Sequence, residues 1–228
     1  MLIIILLVII TPLLLVGITK KWYASLFYFS ISNYFYSTIA GHYAEALLLV
    51  FFLGLLYFKD NRIRLLLLII GSFSHSQAFM LLSGTYVLLL INQRIINKLF
   101  PIGICSPFWA ENKPKILSSY LSNVGYESSS LTINDLLGII IKKTPFPFLY
   151  IAIKGFLERK EYHLIVLGII SVIGGYFYND RIFDLLALLM IIGFTESYEK
   201  LSNKRIWNFL IIMHLIINIL SFVKAGLC

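Results

Sequence analysis

Residues Gly41 to Ile91 read GHYAEALLLVFFLGLLYFKDNRIRLLLLIIGSFSHSQAFMLLSGTYVLLLI, and this stretch decides the fold. Two apolar blocks flank a short basic link, Lys59 to Arg64, and the second block is broken by Ser72, Ser74, His75, Ser76 and Gln77. A helix rising 1.5 Å per residue needs about 20 apolar residues to cross a hydrocarbon core of about 30 Å, and blocks of this kind are built for that task. A His75 or Gln77 set within such a block is costly unless it meets a partner, water or a substrate.

The rest of the chain has the same character. Of 228 residues, 59% are hydrophobic and 13% charged, a balance that excludes an ordinary soluble domain. The mean hydropathy of +0.88 agrees. The expected fold class is therefore all-α: a polytopic transmembrane helical bundle of about eight spans, forming a single integral membrane domain over residues 1–228. The expected spans are 2–18, 22–40, 43–58, 65–91, 146–156, 163–179, 182–194 and 206–223. No basic leader precedes the first, and Lys20 and Lys21 follow it instead, so it reads as a retained helix. The fourth fits either one strongly tilted helix or two shorter ones broken near Gly71 to Gln77.

Residues 92–144 form the long segment of low spanning potential, expected to be an extracytoplasmic loop carrying a short amphipathic helix, Asp135 to Lys143. With the amino terminus outside, ten Lys and Arg crowd into the inner links 19–21, 59–64, 158–162 and 195–205. Eight lie on the outer side, mostly spread through the long segment, so the positive-inside rule favours this orientation. The net charge of +8 is then topological, and with no basic-aromatic patch in the chain no nucleic-acid partner is expected. Two cysteines without ligand spacing to any histidine make neither a disulfide framework nor a metal site.

Under this topology three polar groups share the outer side. His42 and Glu45 stand at i, i+3 at a helix start, on one face. Asp180 and Asp184 stand at i, i+4 beside Arg181, and the long segment adds Lys113 and Lys115. A carboxylate beside an arginine at a membrane rim suits an anionic head group or a general base kept ionised. The plainer readings are solvated helix-start residues for His42 and Glu45 and an interfacial turn for Asp180 and Arg181. His75 and Gln77 serve equally as hydrogen-bond glue between helices, as do His214 and Asn218.

Three features together resemble the EpsG/Wzy family of membrane polysaccharide polymerases: the run from Asn33 through Gly41, His42 and Glu45, the basic link, and Phe73-Ser74-His75-Ser76. The run Asn179 to Asp184 is similar to a second family feature, an arginine opening a late span. Gly41 and His42 stand where members tend to carry Arg-Gln. Only two spans precede Gly41, so the chain reads as a shortened member or a fragment. The resemblance implies polymerisation of lipid-linked oligosaccharide repeat units into surface polysaccharide, by glycosyl transfer at the outer face of the inner membrane. It implies a polyprenyl-diphosphate-linked oligosaccharide as substrate, no cofactor, neither nucleotide sugar nor mandatory metal, and contacts with membrane lipids and other polysaccharide-assembly proteins. In this scheme Arg181, assisted by Lys113 or Lys115, faces the diphosphate. Asp180, Asp184 or Glu45 is the base, His42 inherits the cationic role, and His75 with Gln77 lines the cavity. The rival readings are a multi-span C-class glycosyltransferase for lipid-linked sugars, and a non-enzymatic polysaccharide transporter or flippase subunit.

Overall fold

The computed structural model describes residues 2–31, 43–74, 78–91, 144–177 and 183–226. Among these residues the chain is all-α, with nine helices and no strand. They are α1 (Leu2–Thr19), α2 (Tyr23–Ile31), α3 (Tyr43–Tyr57), α4 (Asn61–Ser72), α5 (Ala78–Leu90), α6 (Phe146–Glu158), α7 (Tyr162–Phe177), α8 (Phe183–Tyr198) and α9 (Lys204–Gly226). The short helix expected over Asp135 to Lys143 and the later half of the second span lie outside the described residues.

The basic link folds for local reasons. Asp60 caps α4 by accepting the Arg62 backbone N–H at 2.8 Å. Arg64 reaches back and donates from Nε to the Phe58 carbonyl at 2.6 Å and the Leu55 carbonyl at 3.0 Å. Those carbonyls close α3 and would otherwise lack partners, so a single guanidinium ties two antiparallel helices together.

The polar break in the following block separates two helices. Phe73 and Ser74 form a turn, and the Ser72 and Ser74 hydroxyls donate to the Leu68 and Gly71 carbonyls, both at 2.6 Å. These serines supply the hydrogen bonds that a helix end leaves open. Gly71 lies against Leu82 Cδ1 and Phe51: a Cβ added there would sit 2.6 Å from the former. In a straight helix residues 71 and 82 would be about 16 Å apart along the axis, so α4 and α5 fold back on one another. Of the two arrangements open for the fourth span, the chain adopts the broken one.

Helix α8 is the centre of the bundle. Every residue from Leu185 to Thr195 is buried, and α1, α2, α6 and α7 surround it. It extends past the expected end at Phe194 to Tyr198 because α6 covers this last turn. The two helices meet through small residues: a Cβ on Gly193 would lie 2.9 Å from Ala152 Cα, and Gly155 abuts the Ser197 side chain. Residues this small let the two helix backbones approach closely. Rings from Phe27, Phe148, Phe194 and Trp207 pack there in edge-on and tilted contacts at 5.0 to 5.8 Å.

The exterior is apolar as well. Helices α4 and α9 present Leu66, Ile69, Ile70, Phe209, Ile212, Ile216 and Leu220 outward, Leu220 at 63% exposure. Among the residues whose side chains are described, which in α1 are Leu7 to Thr19 and in α9 chiefly Lys204 to Leu220, no helix is long and apolar enough to cross a membrane.

Candidate functional site

Of the catalytic and substrate-binding candidates named from the sequence, Asp184 is the one whose side-chain setting is defined. It sits half-buried in the first turn of α8, where the helix dipole favours a carboxylate. Its charge reaches the phenol of Tyr28, a fully buried residue of α2 that lies beside the Thr11 hydroxyl of α1. Three helices thus bring an acid, a phenol and a hydroxyl into one neighbourhood. Pro12 follows Thr11 and removes one backbone donor from α1, while Thr11 donates to the Leu7 carbonyl at 2.9 Å. Glu45 belongs to the first turn of α3. His42, His75, Gln77, Lys113, Lys115, Asp180 and Arg181 lie outside the described residues.

Tyr28 and Thr11 are not legible in the sequence as site residues. The polar face of the second span reads as Ser30, Ser32, Asn33, Ser37 and Thr38, and a tyrosine in an aromatic run looks like an interface anchor. Within the bundle Asn218 of α9 donates from Nδ2 to the Ser30 carbonyl at 3.0 Å, the inter-helix glue expected of it. His214 lies edge-on to Phe148 at 5.3 Å.

A second polar network gathers the four basic links at one end of the bundle. Lys21 pairs with Glu199 at 3.4 Å, and Tyr23 donates to the same carboxylate at 2.8 Å. Lys20 sits over the Tyr57 ring at 5.6 Å, and Arg64 is within electrostatic reach of His163. Arg159 holds Glu161 at 2.9 Å and reaches Ser197 Oγ at 3.5 Å. Glu196 is half-buried between them; burial pushes its carboxyl above the usual range, against the pull of Lys21 and Arg159. Glu199, in contrast, is held low, first by the Tyr23 hydroxyl and then by Lys21. The signal available in the sequence is Glu196 and Glu199 at i, i+3, one turn apart on the same face.

The network ties the links to one another. Among the described residues no group of three or more His, Cys, Asp and Glu is arranged to hold a metal ion. Comparison with protein-family models, with curated proteins and with solved structures finds no match to this chain.

Proposed function

We propose that the chain is a polytopic membrane protein of the inner membrane that polymerises lipid-linked oligosaccharide units into surface polysaccharide. The membrane half of this reading is carried by one observation: large apolar side chains face outward from α4 and α9, while the four charged links gather at one end. Exposed apolar surface that runs along whole helices is stable against hydrocarbon and unstable against water. The positive-inside rule then puts the link end in the cytoplasm and the Asp184 end outside.

The reaction rests on the resemblance carried by Phe73 to Ser76 and by Asn179 to Asp184, and Asp184 on the central helix is compatible with it. Glycosyl transfer from a polyprenyl diphosphate asks for a cation to neutralise the leaving diphosphate and a base to take the acceptor hydroxyl proton. Arg181 is assigned the first role. Asp184 is the favoured base, ahead of Asp180 and Glu45, because it opens the central helix half-buried, within electrostatic reach of Tyr28. The test is polymer length in a complemented deletion strain. Arg181→Ala, Asp184→Asn and His75→Ala are each expected to shorten or abolish the polymer ladder; full-length polymer from all three would remove the assignment.

A further inference from the structure

The acids at the link end each have a cation or a helix end beside them. Glu199 is taken by Lys21, Glu161 by Arg159 at 2.9 Å and Glu158 by Lys154 at 3.9 Å, while Asp60 caps α4. Glu196 is half-buried between Lys21 and Arg159. The exposed cations Lys200, Lys204 and Arg205 form no ion pair among the described residues; Lys204 rests over the Tyr198 ring at 5.9 Å and lies within electrostatic reach of Glu199. Below them runs an unbroken apolar stripe. Arg205, Phe209, Ile212, Ile216 and Leu220 follow at helical spacing on one face of α9, and all are exposed. One leaflet of hydrocarbon, about 15 Å, corresponds to about ten residues of helix, which is the distance from Ile206 to Ile216. At the start of α2, against which α9 packs, Trp22 is 73% exposed at the same end, where an indole anchors at a head-group layer.

We propose that this face of α9 is a docking site for an anionic diacyl phospholipid, its phosphate seated on Lys200, Lys204 and Arg205 and its acyl chains along Phe209, Ile212 and Ile216. The proposal rests on the membrane reading above. Charge complementarity selects the occupant: three unpaired cations meet the apolar stripe where a phosphodiester meets its chains. A zwitterionic lipid offers the same chains but no net charge to them.

The test uses the full chain in phosphatidylcholine nanodiscs, titrated with pyrene-labelled phosphatidylglycerol or phosphatidylcholine and read by energy transfer from tryptophan. Each juxtamembrane cation is worth about fivefold in binding an anionic surface, so three acting independently give about a hundredfold. Phosphatidylglycerol is expected to reach half-maximal transfer at a mole fraction at least tenfold below phosphatidylcholine. The K200Q/K204Q/R205Q variant should lose that preference, and the K200R/K204R/R205K variant, which keeps the charge, should retain it. Equal response to both lipids, an unchanged preference in the neutral triple variant, or displacement of the lipid by soluble glycerol phosphate at equal concentration would each overturn the proposal. Flotation with plain phosphatidylcholine vesicles separates the two readings. A chain that floats but shows no preference removes the lipid site alone, whereas a chain that fails to float removes the membrane reading and this site with it.

Discussion

Substituting Gly193 by alanine tests how α6 is held against the central helix. The added methyl would lie 2.7 Å from Phe156 Cζ, 2.8 Å from Ala152 Cβ and 2.9 Å from Ala152 Cα. The phenyl tip can swing aside, but the Ala152 backbone cannot. Carbon atoms rest at about 3.5–4.0 Å, so α6 must retreat by about 0.6–1 Å, which forfeits a quarter to a half of the dispersion energy along that seam. Overfilling of this kind costs about 1–3 kcal/mol, offset by up to about 1 kcal/mol of better helix propensity. The net loss is about 1–2 kcal/mol, or a fall in Tm of about 2–8 °C for a chain of this size. Thermal unfolding of the detergent-solubilised chain, followed by circular dichroism, measures it. Ala152→Gly deletes one of the two backbone-side obstacles to the new methyl and leaves the other, so the double variant should recover part of the loss. A Gly193→Ala variant as stable as the parent, or strictly additive behaviour in the Gly193/Ala152 cycle, would refute the close crossing, since touching residues couple by about 0.5 kcal/mol or more.

Three further outcomes follow from the same geometry. Glu196 is protonated more readily in the folded than in the unfolded chain, so its contribution is present at low pH and lost as pH rises through its raised value. Glu196→Gln should therefore match the parent in acid and be at least as stable at neutral pH; Glu199, held low, has the opposite sign, and Glu199→Gln should flatten the acid limb of a Tm-versus-pH curve. Lys160 follows the Arg159 cap of α6 with φ of 59°, and the Glu161 backbone N–H bonds the Phe156 carbonyl at 2.9 Å in the turn where glycine is the usual residue. Lys160→Gly should change stability by no more than about 1 kcal/mol and in the favourable direction, as read by the same melt. Ile212→Lys, on the exposed middle of α9, should lower membrane insertion by about 2.5–3.5 kcal/mol in a glycosylation-mapping assay; an unaffected or more soluble chain would count against hydrocarbon as its surroundings.

Much of this architecture is legible in the sequence and some is not, for identifiable reasons. The turn at Lys59 to Arg64 follows from charge and from Asp60 as a cap, but the capping of α3 by Arg64 depends on the chain reversing and has no local signature. The break at Ser72 to Ser74 is visible as polarity, whereas its fold-back depends on Gly71 accepting Leu82 and Phe51. That α8 is central cannot be read from hydropathy. Helices α1, α8 and α9 are all apolar runs, yet α8 is enclosed and α9 faces outward. Small residues carry the distinction, with Gly193 and Ser197 on α8 meeting Ala152 and Gly155 on α6. Of the candidate site, Asp184 stands out by its spacing to Asp180, while Tyr28 depends on three helices meeting and leaves no mark in sequence.

The distribution of polarity across the bundle bears on the proposed membrane setting. In water the buried side of a helix is apolar and the exposed side polar. Here the buried core is itself largely apolar but takes in Thr11, Ser30, Thr85, Ser171, Thr195 and Asn218, while leucine, isoleucine and phenylalanine also line the outside of α4 and α9. Three of the buried hydroxyls find acceptors in their own helix: Thr11, Thr85 and Ser171 donate to carbonyls one turn back at 2.9, 2.8 and 2.7 Å. Asn218 goes further and joins α9 to α2. Charge follows the same logic along the other axis, since Lys21, Arg159, Glu161 and Glu199 meet at the link end, clear of the apolar flanks. Apolar flanks with charge gathered at one end are what the proposed membrane setting requires, and the proposed lipid site lies where the two meet on α9.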